Sequence, residues 1–182
     1  MNLATHLRMQ MATPEPPGLG PGPRRGVERL TPLKEKLIQA FAEANFTGVR
    51  ADLTRAMILL WHDHLDAAHT VAQEVETRDG SYVHAILHRR EPDYDNAKYW
   101  FRRAGSHPCF PRLAERASAL LKSKNALELE RQIIPGGQWD SFAFVDACED
   151  ALEHAAGEPE SHLLRDLQQV EFEVLLEYLV PG

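Results

Sequence analysis

Residues 82–105 read YVHAILHRREPDYDNAKYWFRRAG, and this stretch decides the fold class. Pro92 divides it, because a proline ring disfavours the helical conformation of the residue before it, so a helix over residues 82–91 is expected to stop there. Asp93 stands where an N-cap belongs. After it, Ala97, Trp100, Phe101 and Ala104 recur at i, i+3, i+4 and i+7, the spacing of one buried helical stripe, and Gly105 offers a C-terminal stop. The stretch is a helical hairpin, with none of the period-two alternation of a half-buried strand.

The helical pattern continues outward on both sides. Upstream, Thr31 is positioned to cap, Pro32 suits the first helical position and Glu35 completes a capping box. Leu33, Leu37, Ala40, Phe41 and Ala44 then share a face, and Gly48 closes that helix. Residues 51–61 are rich in helix formers, and residues 64–77 carry Leu65, Ala68, Ala72 and Val75 on one stripe before an Asp79-Gly80-Ser81 turn. Downstream, Leu113, Ala117, Leu120 and Leu121 define another helix, with a continuation over residues 125–134 to the Pro135-Gly136-Gly137 break. Two longer helices follow, over residues 140–156 with Gly157 as the stop, and over residues 160–180. Short connections imply antiparallel neighbours, so the expectation is an all-α bundle or array of about seven to eight helices.

The N-terminal stretch differs. Residues 13–25, TPEPPGLGPGPRR, hold five of the twelve prolines and three of the eleven glycines. Such a segment has little to bury and an interrupted backbone, so residues 1–29 are expected to form a disordered leader ahead of a single helical domain over residues 30–182.

Composition bounds the function. Lys plus Arg number 20 against 27 Asp plus Glu, a net charge of -7, which lacks the basic surplus needed to bind nucleic-acid phosphates. The longest uninterrupted apolar run is Ala56 to Trp61, far short of the roughly 20 residues that cross a bilayer. No secretory signal is visible in the first eleven residues. Cys109 and Cys148 are too few for a disulfide framework and are not spaced as paired metal ligands, so the expected setting is a reducing cytoplasm. Cys148 shares a stripe with Phe144, Val145 and Leu152 and reads as core, while Cys109 near His107 has no evident orienting partner for nucleophilic work.

One polar cluster carries the candidate chemistry. At about 100° per residue, His84, His88 and Glu91 fall on one helical strip beside Val83, Ile86 and Leu87. Two imidazoles four residues apart can approach one divalent transition metal ion, with Glu91 as ligand, orienter or general base. A second group, Trp61-His62-Asp63-His64-Leu65-Asp66 followed by His69, can supply a third ligand. An unbroken helix puts His62, Asp66 and His69 together, whereas a break at Asp63 leaves only Asp66 with His69. Arg89, Arg90, Arg102 and Arg103 flank Tyr94, Tyr99 and Trp100, and guanidinium forks beside aromatic rings suit a compact anionic ligand or an acidic peptide. The bland alternatives are ion pairs of Arg90 or Arg103 with Glu91, Asp93 or Asp95, and a Tyr99-Trp100-Phe101 packing anchor.

Two likenesses rest on these residues. Asp95 to Gly105 resembles the second half of the short helical repeats related to tetratricopeptides, which are scaffolds. Residues 61–110 with 139–151 and 170–178 look like a family of bacterial helical proteins that carry no assigned activity. The core of that likeness is His84-Ala85-Ile86-Leu87-His88-Arg89-Arg90-Glu91-Pro92-Asp93-Tyr94, Asn96 to Arg103 and His107-Pro108. The resemblance implies a shared fold and polar centre, and neither a reaction nor a ligand.

Three functions follow as expectations. The first is a helical binding module whose His/Arg/aromatic cluster contacts an anionic small molecule or peptide. The second is a metal-dependent hydrolase, with His84, His88 and one of His62, His64, Asp63 or His69 holding the ion, Glu91 as base and arginine stabilising negative charge. The third is a purely structural polar network. Glu171, Glu173 and Glu177 on the last helix are expected to form a solvated face or a homodimer surface.

Overall fold

A computed structural model describes residues 2–154 and 159–180, and among them it is all-helical with no strand. Ten α-helices follow one another: α1 Leu3–Gln10, α2 Leu30–Glu43, α3 Val49–Trp61, α4 Leu65–Ala72, α5 Arg78–Arg90, α6 Tyr94–Ala104, α7 Phe110–Ser123, α8 Leu127–Ile133, α9 Ser141–His154 and α10 Pro159–Leu179. A single 3-10 turn at Pro135–Gly137 separates α8 from α9. No helix among the described residues is long and apolar enough to cross a membrane.

Two helices form the centre. In α3, Leu53 and every residue from Ala56 to Leu60 are inaccessible to solvent, as expected for a helix whose C-terminal half is apolar on all sides. The second, α5, is buried from Gly80 to Arg90 although it carries His84, His88, Arg89 and Arg90. It packs against α3, α4 and most extensively α6, while α10 lies against α3, α7 and α9. Burying so polar a helix requires a partner for each charged group, and this requirement shapes the polar centre.

The helix count exceeds the expected seven or eight because short pieces, α1 and α8 among them, form where the pattern was weak. The larger correction concerns the leader, which is ordered. Leu7 is inaccessible and Met11 and Leu19 are buried. The proline-rich backbone leaves carbonyls without partners of its own, and side chains from the core take them. Arg90 donates to the carbonyls of Gly18 and Gly20 at 3.1 and 3.2 Å. Gln168 Nε2 donates to those of Pro17 and Gly18 at 3.1 and 3.0 Å. Lack of secondary structure is therefore not lack of order here, since the backbone hydrogen bonds go to side chains.

Local details adjust the boundaries. The expected turn at residues 79–81 is instead the first turn of α5, capped by Thr77, whose Oγ1 accepts the Gly80 N–H at 3.0 Å. A Cβ on Gly80 would lie 2.1 Å from the Val75 carbonyl oxygen, so only glycine permits this tight α4–α5 junction. Thr31 lies inside α2, whose N-cap is Arg29. Asp140 caps α9 by accepting the Phe142 and Ala143 amides at 2.9 and 3.0 Å. The expected stop of that helix at residues 156–157 lies outside the described residues.

Candidate metal centre

Helix α3 ends at Trp61, and Asp63 takes a left-handed conformation with φ +63 before α4 begins. This break sorts the second histidine group. His62 turns toward the leader, accepting the Glu28 amide at Nδ1 (3.0 Å) and donating from Nε2 to the Gln10 carbonyl (2.8 Å). His64 Nε2 donates to the Glu28 carbonyl at 2.8 Å. The Asp63 carboxylate meets Arg90 at 2.7 Å and accepts the Arg24 backbone N–H at 2.9 Å. These three residues serve the architecture.

His69, one turn into α4, faces α5 instead. Its ring lies 4.9 Å from that of His84 and 5.3 Å from that of His88, centroid to centroid. One ring nitrogen from each of His69, His84 and His88 falls within 4.8 Å of the others. His84 and His88 stack at 4.9 Å, as their i, i+4 spacing allows, and Trp100 from α6 also stacks on His84, at 4.1 Å. His84 Nε2 is buried and has no hydrogen-bond partner among the described residues. Burial, with the neighbouring His88 and His69 imidazoles adding, holds His84 down to about 4. Burial and His69 likewise lower His88.

Carboxylates border the centre. Glu91 Oε2 lies 3.1 Å from Nδ1 of His88, and its Oε1 lies 3.8 Å from Nδ1 of His69. Asp93 stands 3.7 Å from the same nitrogen of His88. Burial raises Glu91, partly offset by His69. Asn96, absent from the sequence-based site, brings its amide to 3.2 Å from Nε2 of His88 and 3.3 Å from Asp93. Its position three residues after the Asp93 cap, on the helix facing α5, was the signal for it.

The arginines are largely committed elsewhere. Arg89 and Arg90 are inaccessible to solvent. Arg89 meets Glu171 at 2.5 Å and Gln168 at 3.2 Å and lies over the Phe144 ring at 4.5 Å. Arg90 bonds the Leu60 carbonyl as well as Asp63 and the leader, and neither Glu91 nor Asp95 is its partner. Arg102 lies over Phe142 at 5.6 Å. Arg103 covers Trp100 at 5.1 Å and donates to the exposed Tyr99 hydroxyl at 3.2 Å. Tyr94, whose hydroxyl is buried, is pushed up to about 12 by burial. It lines a cleft of about 690 Å³ with Arg24, Arg165, Leu152, Glu149 and Glu153, where charges of both signs meet.

Glu171 corrects the reading of the last helix as a solvated acidic face, since it is 1% exposed. Its spacing from Leu164, Leu167, Val174 and Leu175 already put it on the apolar side. Glu173 and Glu177 both pair with Arg116.

Burial pushes the Cys109 and Cys148 thiols up to about 12. Both should resist iodoacetamide at pH 8 in the native protein and react fully after denaturation. Because the folded values lie above the unfolded ones (~8.5), stability is intact below that pH and falls as pH rises toward 12. Rapid native labelling at pH 8 would contradict this burial. In comparisons with known proteins, no family model, curated protein or solved structure matches this chain.

Proposed function

We propose that the protein binds one divalent transition metal ion, zinc most simply, through His69, His84 and His88, and uses it to activate water for hydrolysis. The convergence of three imidazoles from two helices carries this reading, with nitrogens within 4.8 Å of one another. A four-coordinate zinc with bonds of 2.0–2.1 Å separates its ligands by about 3.3 Å, so modest side-chain rotation closes the set. The partnerless Nε2 of His84 gains a partner in the ion, which removes the cost of a buried orphan acceptor.

Three protein ligands leave a fourth position for water. His69, with its side chain 37% exposed, supplies the solvent side. An ion held by these three imidazoles would supply a water acidic enough to serve as the nucleophile of a hydrolysis near neutral pH. The anionic-ligand alternative has less support, because Arg89 and Arg90 are consumed by the core while Glu91 and Asp93 border the histidines.

Elemental analysis of tag-free protein tests the reading, together with cobalt titration followed by quenching of tryptophan emission, since Trp100 stacks on His84. We expect about one ion per chain, lost in the double variant His84→Ala, His88→Ala and in the single variant His69→Ala. The single variant sits at the more exposed ligand and should keep full helicity by circular dichroism. Wild type that neither carries nor takes up zinc, cobalt, nickel or manganese would overturn the proposal.

A further inference from the structure

We infer that Glu91 is the positioning carboxylate of this centre: it holds the Nδ1 side of His88 and of His69, so that both rings present Nε2 to the ion. The inference rests on the metal reading above and assigns a role that residue spacing left open among ligand, base and orienter. Glu91 is the C-cap of α5, one helical turn beyond His88, and the carboxylate bridges α5 to α4. Both of its contacts are to Nδ1, at 3.1 Å for His88 and 3.8 Å for His69. The converging set of ligand atoms contains the three histidines and not Glu91.

The third ring agrees, for it is Nε2 of His84 that is buried without a partner. On His88, the Asn96 amide lies 3.2 Å from Nε2 and 3.4 Å from Nδ1. That amide lies almost midway between the two nitrogens and does not choose between them, whereas the carboxylates of Glu91 and Asp93 both stand on Nδ1, at 3.1 and 3.7 Å, and favour the tautomer with its proton there and its lone pair on Nε2. An ion at Nε2 then takes the place of the Asn96 contact, and Asn96 keeps its bond to Asp93 at 3.3 Å. A carboxylate on the far nitrogen fixes the ring and raises its basicity as a ligand, and removing such a partner weakens metal binding by roughly 10- to 100-fold.

The test compares wild type, Glu91→Ala and Glu91→Gln in zinc and cobalt titrations, with nitrogen-15 imidazole spectra of the zinc-loaded protein. Glu91→Ala should bind one ion about 10- to 100-fold more weakly. Glu91→Gln, which still offers an oxygen acceptor, should recover much of that loss. The saturated cobalt spectra of all three should share one band shape, and the zinc-shifted nitrogens of His69 and His88 should be Nε2. A changed cobalt spectrum in Glu91→Ala would make Glu91 a ligand and overturn the inference, as would zinc-shifted Nδ1 or an affinity within twofold of wild type. Those results leave the metal reading standing, whereas wild type that binds neither ion removes both. Glu91 is partly exposed at a helix end, so both variants should fold, as circular dichroism would verify.

Discussion

Replacing Arg89 by methionine should lower folding stability by about 3–5 kcal/mol, the usual cost of stranding one member of a buried ion pair. Both side chains of the Arg89–Glu171 pair are inaccessible to solvent. Burial opposes the Arg89 charge, but the Glu171 carboxylate together with smaller contributions from Cys148 and Tyr82 raises the guanidinium above its ordinary pKa. Without Arg89, Glu171 keeps, among the described residues, the hydrogen bond from the Tyr82 hydroxyl at 3.2 Å. Adding Glu171→Leu should recover more than half of the loss and not all of it, because the Tyr82 hydroxyl and Gln168 are then left short of partners. Urea unfolding of the two variants measures both numbers, and a single-variant loss below about 1 kcal/mol would mean that the pair is solvated rather than buried.

The second large effect is expected from Asp63→Asn. Asparagine matches aspartate in shape and tolerates the left-handed backbone at this position, so the change isolates the charge. It removes the counter-ion of the buried Arg90 and of Arg24, which lies 3.5 Å from the carboxylate. Burial already pulls Arg90 below its usual pKa, and Asp63 opposes that pull. The loss should be about 3 kcal/mol or more. It should also fall unevenly: amides of residues 13–29 should exchange with deuterium at least tenfold faster while α5 stays protected. Equal exchange of the leader in variant and wild type would show that Asp63 does not hold it.

The α5–α6 hairpin was legible because Pro92 and the Ala97, Trp100, Phe101, Ala104 stripe are local signals, and so was the pairing of His84 with His88. The third imidazole was not. Whether His62, His64 or His69 joins the pair depends on where α3 breaks, and Asp63 breaks it because tertiary partners, Arg24 and Arg90, reward the left-handed turn. Arg89 and Arg90 misled for a related reason. They lie in sequence between His88 and Glu91, yet each residue turns the helix by about 100°, so they point to the core side of the same α5. Their partners Glu171 and Asp63 lie 82 and 27 residues away. The leader misled because composition records that its backbone cannot pair with itself, and not that Gln168 and Arg90 will pair with it.

That docking sets an order on the birth of the molecule. The carbonyls of Pro16, Pro17 and Gly18 leave the ribosome early, while Arg165 and Gln168, which donate to them, follow some 150 residues later. At roughly 5–20 residues per second the interval is on the order of ten to thirty seconds. A proline- and glycine-rich segment suits that wait, since it can neither build a competing helix nor offer a regular edge to a neighbouring chain. A nascent chain stalled before α10 would hold this segment through His62, Asp63 and Arg90 alone, and the donors of Arg165 and Gln168 would close over it last.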